Sequence, residues 1–336
     1  MNYLSKPLHG VRLTPWSSEL SSTRSKYRVG LTHSTFSVPT TQPIWRLVDA
    51  GKRYKTEINL HTDANDLILH IDCEGQGQFK LNEDNIEINW TNHGTSFEHY
   101  LQTMGMALWL DTFKQVPCIH GNAISYGDLG FGLVAPSRTG KTTLTAALSQ
   151  HGAELMSDDM MALHPSTDAG GQQNYEVYSS WPIARMWPDA ISAALGSDER
   201  HFDKVHDKFS KRLLNAQEDL QYNPDKRNVN AIYILNRIDI TNDKTDEKML
   251  VEEPSSCWIE TVNPSKALII LIQNSMLADA YNALGIEQER LTRLIEVVQR
   301  VPIKQVNYYS GINQLPHVCQ TILQDLAAYK QVNIIS

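Results

Sequence analysis

Hydrophobic and polar positions follow two different periods along the chain. Up to about residue 95 they alternate, as in LILHIDCEG, GQFKLNE and NIEINWTN, and Gly, Asn and Asp interrupt the alternation. A period of two is typical of half-buried strands. The pattern therefore predicts a β-rich N-terminal domain over residues 1–95.

The period changes after this point. Between Ser96 and Lys114 the apolar residues recur at helical spacing, and Pro117 follows the end of the pattern. These apolar residues are Phe97, Leu101, Met104, Leu108 and Phe113. The segment is predicted to be a helix that joins the β-rich part to the rest of the chain.

Strand-like and helix-like segments alternate from Cys118 onwards. IHGNAISY and FGLVA flank the turn residues GDLG, and the helical pattern TTLTAALSQHG, with Gly152 as its C-cap, precedes a strand AELM. NAIYIL and KALIILI predict further strands, residues 288–300 and 315–329 predict helices, and the polar stretch Asp239–Pro254 predicts a surface loop or hairpin. An α/β domain over residues 96–336 is therefore expected.

Composition narrows the class of protein. The chain has 336 residues, of which 41% are hydrophobic, so it can bury a large core. Its formal net charge of -8 argues against nucleic acid as a partner. Four cysteines are far apart and form no C-x-x-C pair, which favours reduced thiols over a zinc site or a disulfide framework.

No segment has the length of a membrane helix. The first twenty residues contain no unbroken apolar core, and the longest apolar run covers only residues 267–272. We therefore expect a cytoplasmic protein without a membrane partner. The sequence leaves the oligomeric state open, a homo-oligomer included.

The segment APSRTGKT, residues 135–142, resembles a phosphate-binding loop between a strand and a helix. Such a loop directs backbone N–H groups and a lysine at an anion, with the pattern G-x-x-x-x-G-K-[ST]. Only the first glycine is missing, and Ala135 takes its place. Since Pro136 favours an extended conformation for its predecessor, Ala135 can end the strand without strain. The candidate nucleotide contacts are Ser137, Arg138, Thr139, Gly140, Lys141, Thr142 and Thr143.

Two adjacent carboxylates, Asp158 and Asp159, follow the strand AELM. In a parallel sheet the end of that strand lies at the edge that carries the loop, where ligands bind. We expect Thr142 and Asp159 to hold magnesium and Asp158 to face the acceptor hydroxyl. The alternative is that S-D-D forms a turn or helix cap, just as G-K-T could open an ordinary helix.

His120 precedes the predicted hairpin. If the turn GDLG is centred between Asp128 and Leu129, His120 lies opposite Ser137. A histidine at this position could orient an aspartate or tune its proton affinity, although a lone histidine is more often structural.

Together, His120, the loop and HGAELMSDD resemble the catalytic domain of HPr kinase/phosphorylase. The closest resemblance is to HPr-kinase-related proteins with an additional N-terminal β-rich region, including kinases from peptide-biosynthesis clusters. It implies a nucleotide-binding core like that of phosphoenolpyruvate carboxykinase, ATP as donor and serine as acceptor. It assigns Lys141 and Thr142 to nucleotide and magnesium, Asp158 and Asp159 to the catalytic pair and His120 to the active-site histidine. The glycine-containing segment linked to HPr is missing, which argues against HPr itself as acceptor.

Other signals are weaker. Asn236-Arg237-Ile238-Asp239 imitates the guanine-recognition motif of GTPases, but such residues also form ordinary turns. The resemblance suggests Arg185 as a substrate contact. Residues 202–214 are predicted to be a helix whose basic side is either a substrate site or a solvated face, and Asp189 is predicted to cap the next helix. The basic residues are Lys204, Lys208, Lys211 and Arg212, of which Lys208 and Lys211 are candidate substrate contacts.

The sequence thus favours a kinase that uses ATP and Mg²⁺ to phosphorylate a hydroxyl, that of serine, in a peptide or protein. Two alternatives stay open: a protein that senses ATP without transferring phosphate, and a GTPase.

Overall fold

A computed structural model describes residues 3–15, 24–50, 55–91, 95–136, 139–168, 170–206, 208–239 and 257–332. Ser137 and Arg138, two of the candidate nucleotide contacts, lie outside these residues. The predicted loop Asp239–Pro254 also lies outside them, apart from Asp239.

The N-terminal part forms a seven-stranded sheet, as its alternating pattern predicted. The strands are β1 (Val11–Thr14), β2 (Tyr27–His33), β3 (Trp45–Ala50), β4 (Lys55–Asp63), β5 (Asp66–Asp72), β6 (Gln76–Leu81) and β7 (Asn85–Trp90). Their order is β1-β2-β7-β6-β5-β4-β3. Strands β3 to β7 form an antiparallel meander, and β1 and β2 add to it in parallel.

The predicted helix after residue 95 consists of three parts. They are α1 (Phe97–Tyr100), a π-helical segment (Leu101–Gly105) and α2 (Met106–Phe113). Phe79 and Ile88 of the sheet share one hydrophobic core with Tyr100, Met160 and Ile183. An apolar core therefore crosses residue 95, and the division into domains at that point stays a prediction.

The rest of the chain is α/β, as expected, with a mixed rather than an all-parallel sheet. Its elements are β8 (Cys118–Ile119), β9 (Gly121–Tyr126), β10 (Leu129–Val134), α3 (Lys141–Ser149), β11 (Glu154–Ser157), β12 (Met161–Ala162), β13 (His164–Thr167), β14 (Gln173–Val177), β15 (Ile183–Met186), α4 (Pro188–Leu195), β16 (Arg212–Asn215), α5 (Ala216–Asp219), β17 (Arg227–Ile238), β18 (Trp258–Thr261), α6 (Pro264–Gln273), α7 (Ala278–Ala283), α8 (Glu287–Arg300), β19 (Ile303–Tyr309) and α9 (Leu315–Val332).

The large sheet has the order β11-β9-β10-β17-β14-β13, with β19 also paired to β17 and β18 to β19. Alternate residues of β17 point to opposite faces: Tyr233 packs in a core with residues of α3 and α9, and Ile232 packs in a core with residues of α6 and α8. The sheet therefore lies between two helical layers. Among the described residues, no helix is both long and apolar enough to cross a membrane.

The prediction of a strand at KALIILI is wrong, because this segment lies in α6. Asn263 caps the helix by accepting a hydrogen bond from the backbone N–H of Ser265, and Pro264 occupies the first turn, where its missing N–H has no cost. Ala267 and Leu271 are buried one turn apart, whereas Ile269 is exposed. A continuous apolar run concealed this helical period.

The predicted helix over residues 202–214 is also absent from the described part of that segment. Arg212 instead begins β16, which pairs antiparallel with β15. Asp189 does not cap α4, whose N-cap is Trp187 and whose first turn contains Pro188. The proline occupies the first helical position, so the N-cap lies two residues before the predicted one.

Candidate active site

The loop after β10 and the acidic pair after β11 lie at the same edge of the large sheet. Strand β9 pairs antiparallel with both β10 and β11, so these two strands run in the same direction. Their carboxyl ends therefore meet, although an antiparallel strand separates them. The predicted location of the loop and the acidic pair at one sheet edge is therefore confirmed. The predicted reason, a parallel sheet, is wrong for these strands.

The acidic pair occupies a tight turn. The Met160 N–H donates to the Asp158 carbonyl at 2.9 Å, and Asp159 between them has a φ of 65°. A non-glycine residue in this region is uncommon, although aspartate tolerates it better than most residues. The turn therefore sends the two carboxylates in different directions.

The start of α3 holds a buried lysine. Gly140, the N-cap, has a φ of 102°, and a Cβ there would meet no atom within 4 Å, so glycine is favoured for its conformation alone. Lys141 is 7% exposed. Its ammonium donates to the Ala135 carbonyl at 2.6 Å and to the Pro136 carbonyl at 3.5 Å. Desolvation lowers the pKa of Lys141, although Asp159 and Asp158 oppose this shift.

Ala135, which replaces the expected glycine, packs among buried side chains below α3. It is not among the residues with positive φ, so the missing glycine causes no backbone strain. Within the loop, the Thr139 hydroxyl donates to the Pro136 carbonyl at 2.8 Å, and Thr143 lies in the first turn of α3.

Asp158 is fully buried between two donors. The Thr142 hydroxyl lies 3.3 Å from Oδ1, and the backbone N–H of Arg185 donates to Oδ2 at 2.9 Å. Desolvation, and then the neighbouring Asp159, raises the pKa of Asp158. Each oxygen of this carboxylate therefore already has a partner.

Asp159 has the opposite environment. Its side chain is 20% exposed, and Oδ2 accepts from the buried Arg185 guanidinium at 3.2 Å. Burial acts to raise the pKa of Asp159, but Lys211, Arg185 and His120 outweigh it, so the pKa is lowered. Asp159 is thus the more accessible member of the pair, and its surroundings favour the charged carboxylate.

His120 joins the acidic turn to the lysine. Its Nδ1 lies 2.9 Å from the Asp159 carbonyl and its Nε2 lies 3.2 Å from the Lys141 ammonium. A carbonyl only accepts and an ammonium only donates, so Nδ1 carries the proton and Nε2 its lone pair. Desolvation, and then Lys141, lowers the pKa of His120, which agrees with this neutral form.

The register that was used to position His120 is wrong by one residue at the turn. Strands β9 and β10 pair Tyr126 with Leu129, so the hairpin is centred one residue earlier than predicted. The register continues from Gly121 opposite Val134, which directs His120 towards Ala135 rather than Ser137. His120 still reaches Lys141, because that side chain folds back onto the loop.

Two residues at the site were missed in the sequence. Asn122 accepts a hydrogen bond from the Asp159 N–H at 3.2 Å and donates to the Thr145 hydroxyl at 2.9 Å. It thereby ties the acidic turn to α3. Because Asn122 lies only two residues after His120, its position next to that candidate was an available signal. The other is His99 of α1, whose pKa is lowered by desolvation and then by Arg185.

The predicted substrate contacts separate into two groups. Arg185 contacts Asp159, and the charge of Lys211 acts on the pKa of both aspartates and of His120. Lys208 instead forms an ion pair with Glu74, between β5 and β6, at 2.6 Å.

The residues present fit a magnesium ion that arrives with phosphates. The hydroxyl of Thr142 and the carboxylate of Asp158 are adjacent oxygen ligands. In the described part of the chain, no group of three or more His, Cys, Asp and Glu side chains could hold a metal ion. Magnesium in phosphate sites commonly uses one or two carboxylates and takes its other ligands from the phosphates and water.

The guanine-like segment lies at the end of β17, the neighbour of β10. The Asn236 amide donates to the Asn307 side chain at 2.7 Å, and Arg237 pairs with Asp239 at 3.2 Å. Both recognition side chains therefore have partners within the protein, which agrees with an ordinary strand end.

Comparison with known proteins gives matches among solved structures. The search of family models and the search of curated proteins found no match. Among solved structures, the Hpr(Ser) kinase/phosphatase from Coxiella burnetii is similar, with a TM-score of 0.34 and 9% identity. The match covers 64% of this chain and 94% of that chain. A likeness this distant supports no conclusion about activity.

Proposed function

We propose that this protein is a phosphotransferase that moves a phosphoryl group from ATP to a hydroxyl, that of serine, in a peptide or protein. One observation carries the proposal: the lysine and threonine that open α3 meet two carboxylates and a histidine from two other segments at one sheet edge. Phosphoryl transfer needs these groups, because its catalysis consists mainly of positioning and charge stabilisation.

The first side of the site, which we call the nucleotide flank, consists of Lys141 and Thr142. The N-terminus of α3 and the ammonium of Lys141 suit the phosphates of a nucleotide. Lys141 now donates to two loop carbonyls, so an incoming phosphate would replace the protein's own acceptors. Bound ATP supplies the phosphoryl group, and bound magnesium neutralises its charge.

The other side, which we call the acceptor flank, consists of Arg185 and Lys211. Asp159 faces this flank through its ion pair with Arg185 and keeps part of its surface exposed. An acceptor hydroxyl must contact its base, and the accessible carboxylate meets this requirement better than the buried one.

We therefore assign Asp158 with Thr142 to magnesium, and Asp159 to the acceptor hydroxyl. The sequence-based hypothesis had these two roles reversed. The raised pKa of Asp158 would suit a base, but this shift arises from desolvation and from the charge of Asp159. A bound cation would reverse it, so the contacts and the exposure weigh more heavily in the assignment.

His120 is a positioning residue in this proposal. Its Nδ1–H holds the Asp159 backbone, and its Nε2 accepts from Lys141, so it sets the distance between the two flanks. Within the described part of the chain, His120 forms no hydrogen bond with either carboxylate, and its role is to keep the acidic turn and the lysine in register.

Incubation of the whole chain with γ-labelled ATP, Mg²⁺ and a library of serine peptides tests the proposal. We expect label in peptides with the native chain and with Lys204→Met, which removes an exposed lysine outside the site, and no label with Lys141→Met. Tight binding of ATP without transfer would favour the nucleotide-sensing alternative. Displacement of ATP by GTP at equal concentration would favour the GTPase alternative.

A further inference from the structure

The ribbon of β15 and β16 presents two cations and an aromatic ring on one face. Arg185 pairs with Leu213 and Met186 pairs with Arg212, so the next position in this register brings Trp187 opposite Lys211. The Lys211 ammonium lies 5.8 Å from the centre of the Trp187 ring. Because alternate residues of a strand share a face, Arg185, Trp187 and Lys211 lie on the same side of the ribbon.

This ribbon face, defined by Arg185, Trp187 and Lys211, adjoins the acidic pair. The backbone of Arg185 donates to Asp158, and its guanidinium contacts Asp159. The side chain of Arg185 is nine-tenths buried or more, whereas Trp187 is 38% exposed. The face therefore has a fixed cation close to the carboxylates and an accessible ring beside it.

Lys211 differs from its basic neighbours. Lys208 pairs with Glu74 and Arg212 pairs with Glu199, but within the described ranges no carboxylate lies at ion-pair distance from Lys211. Its charge nevertheless lowers the pKa of Asp159 more than Arg185 does. Since a partly buried cation is stabilised by an anion in contact, Lys211 is available to a ligand.

We propose that the ribbon face recognises an acidic side chain of the acceptor peptide, adjacent to the residue that carries the hydroxyl. This inference rests on the proposed function and names the class of its acceptor. The nucleotide flank already provides Lys141 and the α3 N-terminus for phosphates, whereas the ribbon face combines a cation with an aromatic surface. An acidic side chain of a peptide matches both, because its carboxylate accepts a charge-assisted hydrogen bond and its methylene groups contact the ring.

Matched peptides test this inference. Two sets, blocked at both ends, contain a central serine flanked either by Asp and Glu or by Asn and Gln. We expect the native chain to phosphorylate the acidic set with a kcat/KM about tenfold higher, since one charge-assisted contact distinguishes the sets. Lys211→Met should bring this ratio close to one, mainly through KM, and Lys211→Arg should largely restore it. Lys204→Met should leave it unchanged.

Two outcomes would overturn the inference. One is an absence of preference for the acidic set in the native chain. The other is an equal loss for both sets in Lys211→Met with the ratio preserved, which would mean that Lys211 acts on the transferred phosphoryl group. If neither set is phosphorylated, the proposed function fails. Calorimetry with the same peptides then decides the inference: tighter binding of the acidic set supports it, and equal binding of both sets overturns it.

Discussion

The cations of the two flanks differ in their contacts with the rest of the protein. On the nucleotide flank, the Lys141 ammonium has hydrogen bonds to two carbonyls and a contact with His120. On the acceptor flank, Lys211 has an aromatic ring as its neighbour, and Arg185 has a carboxylate. The cation of the nucleotide flank is therefore hydrogen-bonded to its own loop. Among the described residues, no carboxylate lies at ion-pair distance from Lys211 on the acceptor flank.

This difference follows from how each flank is built. Lys141 and Thr142 are consecutive residues whose positions are set by one strand, one loop and one helix. Arg185 lies in β15 and Lys211 immediately precedes β16. More than twenty residues of chain separate these two paired strands. A contiguous flank can be recognised as a motif, whereas a flank assembled by pairing depends on a register that the sequence does not display.

The largest expected effect tests the nucleotide flank. Lys141→Met should lower kcat/KM by roughly a hundredfold to a thousandfold, as removal of one preorganised charge-stabilising donor does elsewhere. Binding of an ATP analogue, measured by calorimetry, should weaken in parallel. The thermal midpoint should change little, because the ammonium contributes contacts to loop carbonyls rather than to the core. Retained transfer would disprove the role of this flank.

Substitution of either carboxylate should have a somewhat smaller effect, a loss of about a hundredfold in kcat, and should distinguish the two flanks. Asp158→Asn is expected to weaken the Mg²⁺-dependent binding of an ATP analogue, because this carboxylate adjoins Thr142. Asp159→Asn is expected to leave that binding intact and to raise the KM of the acceptor, because Arg185 loses its partner. The reverse pattern would restore the original assignment, with Asp159 on magnesium.

Asn122→Ala should have a smaller effect, about tenfold in kcat, because Asn122 positions the acidic turn without contacting a substrate. The Asn122 amide connects the Asp159 backbone to Thr145 of α3. Without this amide, the distance between the two flanks is held less firmly. Titration with the ATP analogue should give nearly native affinity. A loss of affinity as large as the loss of kcat would place Asn122 in the nucleotide flank instead.

The last expected effect concerns the dependence of folding stability on pH and does not involve the residues of either flank. His9 and His164 are fully buried, and desolvation lowers their pKa from 6.5 to about 4 and about 3. Between pH 6.5 and about 4 the unfolded chain binds protons that the folded chain does not, so stability falls as the pH falls. The slope should be on the order of 1 kcal/mol per histidine for each pH unit.

Urea unfolding between pH 7 and pH 5 measures this slope. A double variant, His9→Gln with His164→Gln, should show a flatter dependence on pH, whatever its stability at pH 7. An unchanged slope would mean that other groups control the acid sensitivity. If the slope of the double variant is flatter, a loss of its activity in the same pH range can be attributed to the site rather than to the fold.

The sequence predicted those parts of the molecule whose signal is local. Alternation identified β5, β6 and β7 of the N-terminal sheet, and the helical spacing of residues 288–300 identified α8. The continuous apolar run of α6 had no visible period, and its cap, Asn263 followed by Pro264, was the available signal. The turn Gly127-Asp128 shifted the hairpin by one residue, which changes the partner of every residue in it.

The same distinction applies within the site. The motif placed Lys141, Thr142 and the acidic pair at one sheet edge. It assigned Asp159 to magnesium and Asp158 to the acceptor hydroxyl, whereas the contacts and exposure of the two carboxylates led us to propose the reverse. The supporting contacts of Asn122 and the paired strands β15 and β16 arise only when distant segments meet.

The apolar core that crosses residue 95 limits how the molecule can be dissected. Met160 directly follows the acidic pair, yet it belongs to the same hydrophobic core as Tyr100 and as Phe79 of the N-terminal sheet. A fragment that starts at Ser96 would expose that surface to water and undermine the support of the acidic turn. The ion pair between Glu74 and Lys208 adds a second anchor, close to the ribbon. The N-terminal sheet therefore supports the acidic turn, and we expect its deletion to unfold that turn rather than to release an independently folded domain.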